Sequence, residues 1–172
     1  HQYLHYALGG EKWTGVWFNE GHATFFEGMA FEGSRVGIEH TARLKTLLKI
    51  IDAGRYDLRN LIRMDYERFY HGNGSKASRL ANYAWAWGLI FFLRKGAPFI
   101  KGSTNDYAKV LPTYYTAIAK TGSPDIANLA AWKGIDMALL HRDFADFWKN
   151  KSARNKAARY HLVERLKKKA KR

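Results

Sequence analysis

The hydrophobic residues of this chain recur every three or four positions along most of its length, which is the spacing of an amphipathic α-helix. One such stripe predicts a helix over residues 36–53, and Gly54 would end that helix. The stripe consists of Leu44, Leu47, Leu48 and Ile51. The same spacing predicts further helices at about 107–121, 123–132 and 136–150. Together these elements predict a mainly α fold.

The most apolar stretch runs from Leu80 to Leu93 and is closed by Arg94-Lys95. It contains fourteen residues, whereas a helix that crosses a membrane needs roughly 17 to 25. We therefore predict a buried central helix rather than a transmembrane helix. Shortly before it, the Gly-Asn-Gly-Ser sequence of residues 72–75 predicts a loop.

Two shorter helices are predicted near the beginning of the chain. The first covers residues 1–8, and the two glycines that follow are expected to end it. The second is predicted from Glu20 to about Phe31, with Asn19 as its N-cap. In such a helix Glu27 lies two turns after Glu20 on nearly the same face.

Composition narrows the class of protein. A length of 172 residues suits one domain, and 47% hydrophobic with 15% aromatic residues is enough for a real core. Extensive disorder is therefore excluded. The chain has no cysteine, which excludes disulfides and a thiolate metal site and leaves histidine and carboxylate as the available ligands.

The net charge of +14 is concentrated at the end of the chain. Residues 149–172 contain eleven Lys and Arg residues and one acid, Glu164. We predict a helical domain over residues 1–148 and a basic helical tail over 149–172. A charge run of this kind is most simply a solvated helix that frays. The functional alternative is a contact with a polyanion such as nucleic acid, a cell-wall polymer or anionic lipid.

The candidate chemistry lies in two short segments near the start of the chain. One is His1-Gln2, and the other, from Trp17 to Ala23, reads W-F-N-E-G-H-A. Eighteen residues separate His1 from Glu20. A catalytic zinc ion takes three protein ligands of nitrogen or oxygen type and leaves one position open for water or substrate. The residue types and their spacing therefore suggest a comparison with zinc peptidases.

The two segments resemble the active site of gluzincins, in which an HExxH helix supplies two histidines and a following helix supplies a glutamate. In the aminopeptidase-like branch, Gln usually follows the second histidine, and eighteen residues precede a Glu in a W-L-N-E-G-x-A setting. The resemblance implies Zn²⁺ as cofactor, with His1 and Glu20 as metal ligands. It also implies that the first histidine and the catalytic glutamate of the motif precede residue 1.

Within this class the chain resembles the DUF1570 group of peptidase-MA-like proteins. That group has the pattern W-x-x-E-G-x-A-x-Y-F-E, which corresponds here to residues 17–27. Further similar segments are Phe69-Tyr70, Tyr83 to Trp87, Tyr107 to Ala119 and Asp143 to Trp148. The resemblance implies the helical C-terminal subdomain of a zincin-like metallopeptidase, with any β-sheet lying before residue 1.

A second alignment of the histidines stays open. His1 and His5 form an HxxxH pair by themselves, with Gln2 in the place of the general base and fourteen residues between His5 and Glu20. This alignment makes His5 an alternative metal ligand in a protein that has lost its base. The first alignment is preferred because it accounts for both Gln2 and the spacing to Glu20.

The resemblance also implies a catalytic tyrosine. In aminopeptidase-like gluzincins, a Tyr some sixty-odd residues after the glutamate ligand contacts the oxyanion formed at the scissile carbonyl. Tyr83 lies sixty-three residues after Glu20. The residue pattern alone fits a core aromatic at Tyr83 equally well.

Three functions remain open from the sequence. The first is zinc-dependent hydrolysis of a peptide or protein substrate, in a protein for which the resemblance favours a secreted or cell-envelope location. The second is a catalytically inactive zincin-like binding protein, and the third is a polyanion-binding module that uses the basic tail. With two ligands and no base, the chain as printed is expected to bind zinc weakly and to lack peptidase activity.

Overall fold

The computed structural model describes residues 14–32, 35–38 and 41–161. Its α-helices are α1 (Val16–Glu27), α2 (Thr41–Asp52), α3 (Leu58–Arg63), α4 (Tyr66–His71), α5 (Lys76–Phe91), α6 (Val110–Thr121), α7 (Pro124–Ala131), α8 (Met137–Lys149) and α9 (Lys151–Ala158). A π-helical turn, Phe92–Gly96, follows α5, and two short 3-10 turns cover Ala97–Phe99 and Tyr107–Lys109. The predicted mainly α fold is confirmed. In the described ranges, no helix is long and apolar enough to span a membrane.

Helix α5 is the centre of the fold, as its apolar sequence predicts. Its second half, from Ala86 to Phe91, is buried throughout. Ser75 caps its first turn by accepting a hydrogen bond from the backbone N–H of Ser78 at 3.1 Å. Helices α1, α2, α3 and α4 all pack against α5. Helix α5 therefore forms the buried support on which these four helices rest.

A small antiparallel sheet replaces two predicted helix ends. Strand β1 (Met29–Glu32) pairs with β2 (Arg35–Ile38), and β3 (Arg159–His161) adds to the other edge of β2. The helix predicted to reach Phe31 ends at Glu27 because Gly28 follows it, and the helix predicted from residue 36 begins only at Thr41. The prediction that any sheet lies before residue 1 is wrong for these strands.

The basic tail is helical over part of its length. Helix α9 covers Lys151–Ala158 and packs against α8 and the π-helical turn through the buried Ala153 and Ala157. Residues 159–161 form β3 instead of continuing the predicted helix. Residues 162–172, which hold much of the positive charge, lie outside the described residues.

Helix α1 starts four residues earlier than predicted. It begins at Val16 after Gly15, which offers no side-chain cap. Its start is held by tertiary contacts instead: Gly15 N–H donates to the Tyr114 hydroxyl at 2.6 Å, and Trp17 Nε1 donates to Asn128 at 3.0 Å. Asn19 is therefore not an N-cap. It lies inside α1, where its Nδ2 donates to the Tyr66 hydroxyl at 3.1 Å.

The contact between α1 and α5 depends on a glycine. A Cβ atom at Gly21 would lie 2.5 Å from Cγ1 of Ile90 and 2.6 Å from the backbone oxygen of Ala86. Real Cβ atoms do not approach so closely, so a larger residue must push the two helices apart. Gly21 therefore sets how deeply the neighbouring Glu20 is buried.

One histidine is buried on the same helix. His22 is 2% exposed, and its Nδ1 lies 2.7 Å from the carbonyl oxygen of Phe18. Because a carbonyl can only accept, Nδ1 carries the proton in the neutral ring. Burial lowers the pKa of His22 to about 3, and the positive charge of Arg94 acts in the same direction. The ring is therefore neutral in the native protein at ordinary pH.

We expect Gly21→Ala to destabilise the protein more than Gly88→Ala, although both changes place alanine in a helix interior and gain about 1 kcal/mol of helix propensity. At Gly88 the new Cβ meets the end of the Leu47 side chain, at 2.6 Å from Cδ2. That side chain can rotate away, whereas the Ala86 backbone facing Gly21 cannot. Overpacking costs about 1–3 kcal/mol, so urea unfolding should separate the two variants. Equal midpoints would contradict the proposed backbone contact.

We also expect the buried His22 to make the protein acid-sensitive. The unfolded chain takes up a proton at His22 below about pH 6.5, whereas the native ring does not until about pH 3. The free energy of unfolding should therefore fall as the pH drops below 6.5, with a contribution from His22 on the order of 2 kcal/mol between pH 8 and pH 5. Urea titrations at several pH values would measure this slope. His22→Gln should flatten it, and His71→Gln, at an exposed position, is the matched control.

Candidate functional site

Glu20 is a buried carboxylate on α1. The residue is 3% exposed, and its Oε1 accepts a hydrogen bond from the Tyr70 hydroxyl at 2.5 Å. Burial raises the pKa of Glu20 above its usual value, while the Tyr70 hydrogen bond and the charge of Arg43 act in the opposite direction. Burial is the larger effect. The ionised form of Glu20 is therefore only partly compensated by these neighbours.

Tyr70 reaches Glu20 from the short helix α4. Asp65 caps the start of α4 by accepting from the backbone N–H of Arg68 at 2.7 Å, and Gly72 ends it with a positive φ of 59°. Asn82 on α5 donates to the carbonyl oxygen of Phe69 at 3.0 Å. These contacts hold both ends of α4, so the Tyr70 ring has a defined position against α1.

Tyr83 lies on α5 beside this pair. Its ring is half-buried and packs edge-on against Phe69, with the centroids 5.0 Å apart. Burial raises the pKa of the Tyr83 phenol, and the nearby charge of Glu20 adds to the shift, whereas Arg43 opposes it. The structure therefore brings Tyr83 into the electrostatic range of Glu20, and Tyr83 stays protonated at neutral pH.

Arg43 supplies positive charge at the edge of the site. It lies on α2, and its guanidinium carbon is 5.5 Å from the centroid of the Tyr83 ring. The same guanidinium forms an ion pair with Glu27 at 2.6 Å. The Glu27 side chain is 63% exposed, so it lies at the rim and not beside the buried carboxylate.

A third tyrosine completes the arrangement. Tyr66 is one turn before Tyr70 on α4, and their ring centroids are 5.7 Å apart. Its hydroxyl accepts the hydrogen bond from Asn19, the residue before Glu20. We call Tyr66, Tyr70 and Tyr83 the phenol cluster. The cluster surrounds one side of α1 with hydroxyl groups that can donate or accept protons and hydrogen bonds.

Glu20 is the predicted metal ligand that falls within the described residues. A buried carboxylate oriented by a hydrogen bond from a neighbouring side chain is the usual setting of such a ligand. His1 and His5 lie outside the described residues. Among residues 14–32, 35–38 and 41–161, no group of three His, Asp or Glu side chains could hold a metal ion. The described part of the site thus supplies one candidate ligand.

Two neighbours of Glu20 make hydrogen bonds to backbone carbonyls of α1. The Thr24 hydroxyl donates to the backbone carbonyl of Glu20 at 2.5 Å. His22 bonds the carbonyl of Phe18, and it lies two residues from Glu20, so the helix turns it to another face. Tyr70, in contrast, donates a hydrogen bond directly to the carboxylate.

Sequence reasoning did not identify Tyr70 as a site residue. Its partner Glu20 is fifty positions away, and the helical period of either segment says nothing about a contact across that distance. The one signal available was the Phe69-Tyr70 pair within the similar segments. The sequence identifies this pair only as a similar segment. The role of Tyr70 becomes visible only when the packing of α4 against α5 is known.

Comparison with known proteins gives one match. Residues 10–101 match a family described as "Protein of unknown function (DUF1570)". No curated protein and no solved structure matches the chain. The matched segment covers more than half of the 172 residues, and it contains Glu20, Tyr70 and Tyr83. The chain belongs to the DUF1570 family.

Proposed function

We propose that this protein is part of a zinc-dependent peptidase in which Glu20 is a metal ligand. The observation that carries the proposal is the buried Glu20 carboxylate with the Tyr70 hydroxyl on its Oε1. Burying a carboxylate costs several kcal/mol unless a cation or hydrogen bonds compensate it. A bound Zn²⁺ would stabilise the ionised carboxylate in addition to Tyr70 and Arg43. The resemblance to gluzincins, carried by the W-F-N-E-G box and its spacing from His1, favours zinc over other cations.

In this proposal Glu20 binds the cation and Tyr70 keeps the carboxylate in one orientation. Resemblance to gluzincins gives His1 as a second ligand, or His5 in the alternative alignment. When bound, zinc activates water and polarises the carbonyl of a peptide bond. The Tyr70 hydroxyl is engaged with Glu20, so its role is positioning.

Tyr83 is the candidate donor to the substrate. The raised pKa of its phenol keeps the hydroxyl protonated at neutral pH, so it can donate a hydrogen bond to the oxygen of a peptide carbonyl as negative charge develops there. The Tyr70 hydroxyl is bonded to Glu20. The Tyr83 ring lies near Glu20, and we propose that its hydroxyl contacts the substrate. Arg43, beside the Tyr83 ring, stabilises negative charge in the same region.

Zinc binding should depend on Glu20. We expect the full-length protein to bind one zinc ion per chain, and Glu20→Gln to weaken zinc affinity by at least about 100-fold because a charged ligand is lost. Competition with a chromophoric chelator measures the affinity without requiring a substrate. Glu27→Gln is the matched control, since Glu27 lies on the same helix but pairs with Arg43 at the surface. Equal zinc affinity in the wild type and Glu20→Gln would refute the ligand assignment.

We expect Tyr70 and Tyr83 to have different functions, which substitutions can distinguish. We expect Tyr83→Phe to lower kcat for peptide hydrolysis by about 10²- to 10³-fold with unchanged zinc affinity, because it removes one donor to the oxyanion. Tyr70→Phe should instead lower zinc affinity by about 10- to 100-fold, because it frees the carboxylate that it orients. Steady-state kinetics and zinc titration on both variants test this split, with thermal melting as the control for folding. An unchanged kcat in Tyr83→Phe would exclude the catalytic role.

If the full-length protein binds zinc through Glu20 but cleaves no peptide, its function is that of a zincin-like binding protein and not that of a peptidase. A broad set of fluorogenic peptides, assayed with and without a zinc chelator, makes this distinction. Hydrolysis that the chelator abolishes and zinc restores supports the peptidase. Zinc binding without hydrolysis supports the binding protein.

A further inference from the structure

The loop between α4 and α5 contains the Gly-Asn-Gly-Ser sequence of residues 72–75. Asn73 is the one asparagine of the sequence that is followed by glycine. Both Asn73 and Gly74 are exposed. A Cβ atom at Gly74 would have no atom of the described residues within 4 Å, apart from its chain neighbours. The pair is therefore open to water on the side where a side chain of residue 74 would stand.

Glycine at position 74 also makes the backbone unusually reactive. The backbone nitrogen that follows an asparagine can attack Cγ of the asparagine side chain, and a Cβ atom on the attacking residue hinders its approach. Gly74 has no Cβ atom, and its φ of 84° is a conformation that residues with side chains rarely adopt. Steric hindrance is thus lowest at the one Asn-Gly pair of the chain.

A chain of hydrogen bonds ends on the side-chain carbonyl oxygen of Asn73. The backbone N–H of Ser78 donates to the Ser75 hydroxyl at 3.1 Å, and this hydroxyl donates to Oδ1 of Asn73 at 2.9 Å. Because each bond polarises the next, Cγ of Asn73 becomes more electrophilic. Negative charge that develops on Oδ1 during an attack meets a donor that is already in place. The Ser75 bond also spans Gly74, so it keeps the side-chain amide on the C-terminal side of Asn73.

One hydrogen bond opposes the reaction. The backbone N–H of Gly74 donates to the carbonyl oxygen of His71 at 3.0 Å, and the nitrogen must lose this proton before it can attack. Both residues are exposed, so water can replace the carbonyl when the bond opens. Opening a single exposed hydrogen bond costs little compared with unfolding the protein. The bond therefore slows the reaction without preventing it.

We propose that Asn73 is a site of spontaneous modification, at which the side-chain amide is lost and an acidic residue remains. The Gly74 nitrogen loses its proton to hydroxide and forms a bond to Cγ of Asn73. The bond from Cγ to Nδ2 breaks, and Nδ2 leaves as ammonia with a proton from water. The product is a cyclic imide made from the side chain of Asn73 and the Gly74 nitrogen.

Water then opens the cyclic imide at one of its two carbonyl carbons. Breaking the bond between Cγ and the Gly74 nitrogen gives aspartate at position 73. Breaking the bond between the backbone carbonyl carbon and the same nitrogen gives isoaspartate, in which the main chain continues through the side chain. Both routes consume one water and add one negative charge. The proposal does not depend on zinc or on peptidase activity.

The two products fit the loop differently. Aspartate leaves the backbone unchanged and places a negative charge near the start of α5, where the helix dipole favours it. Isoaspartate lengthens the backbone by one methylene group. At Gly72 the loop lies against the first turn of α5, since a Cβ atom there would be 2.5 Å from Oγ of Ser78. We therefore expect the longer backbone to shift the end of α4, the helix that carries Tyr70.

Prolonged incubation of the full-length protein, followed by peptide mapping with mass spectrometry, tests the proposal. We expect aspartate and isoaspartate to accumulate at position 73, and to do so faster at mildly alkaline than at mildly acidic pH, because the Gly74 nitrogen must lose a proton. Asn155 is the matched control, since it is also exposed but is followed by lysine. Amide loss at Asn155 that equals or exceeds the loss at Asn73 would overturn the proposal.

Variants of Ser75 test the part that the fold plays. Ser75→Ala should slow the reaction in the native protein about threefold to tenfold, the effect of one hydrogen bond, and Ser75→Thr should restore the rate. In concentrated urea, where the hydrogen bond is absent, wild type and Ser75→Ala should react equally fast. A native rate in Ser75→Ala as high as that of wild type contradicts the role of the hydrogen-bond chain. Wild-type protein that reacts in urea but not when native contradicts the proposal as a whole.

Thermal melting tests the different fit of the two products. Asn73→Asp reproduces the aspartate product and should melt at the temperature of the wild type or slightly above it. Protein that has been separated by chromatography as the isoaspartyl form should melt at a lower temperature. Equal melting temperatures for the isoaspartyl form and Asn73→Asp would refute the expected shift of α4.

Discussion

The close approach of α1 to α5 at Gly21 is the contact on which the rest of the structure depends. With no side chain at this position, α1 lies directly against the backbone of Ala86 and is buried on nearly every side. Because side chains project in different directions around a buried helix, residues close in sequence lie in different environments. Glu20 faces the phenol cluster, and His22 lines a cleft that also involves α6 and the π-helical turn. The chemistry available to each residue follows from which helices surround it: α4 and α5 for Glu20, and α6 with the π-helical turn for His22.

Burial has opposite consequences for these two ionisable groups. It raises the pKa of Glu20 and lowers that of His22, because in both cases the charged form loses its hydration. A neutral histidine is stable in that setting once its N–H has a carbonyl partner. For Glu20, the hydrogen bond from Tyr70 and the charge of Arg43 favour the ionised form, but burial outweighs them. A cation would stabilise the ionised form of Glu20, as the proposed function requires, whereas the neutral His22 ring has no charge to compensate.

The sequence predicts elements whose signal is local and misses those stabilised from a distance. The buried helix α5 and the apolar stripe of α2 follow from helical spacing. Strands β1 and β2 have four residues each, and the sequence predicts helix ends in their place. The pairing that stabilises β2 involves a segment near residue 160, and no local pattern reveals a contact over that distance. Asn19 was predicted as an N-cap on local grounds, whereas Tyr114 and Asn128 hold the true start of α1. At the site, a motif identifies Glu20 from the sequence, but the contact between Glu20 and Tyr70 can be recognised only in the folded structure.

The π-helical turn brings Arg94 against helix α1. Where α5 ends, the backbone widens into Phe92–Gly96, and Gly96 lets the turn lie against the ring of Phe147, which a Cβ atom there would meet at 2.9 Å. The turn places Arg94 over two aromatic rings of α1, so the end of α5 contacts α1 a second time, beyond Gly21. A π-turn is less favourable than regular α-helix and is retained where it orients a side chain. Helix α1 is thus held between two contacts from the same partner. A displacement of α1 would change the surroundings of Glu20 and of His22 together, because one rigid helix carries both.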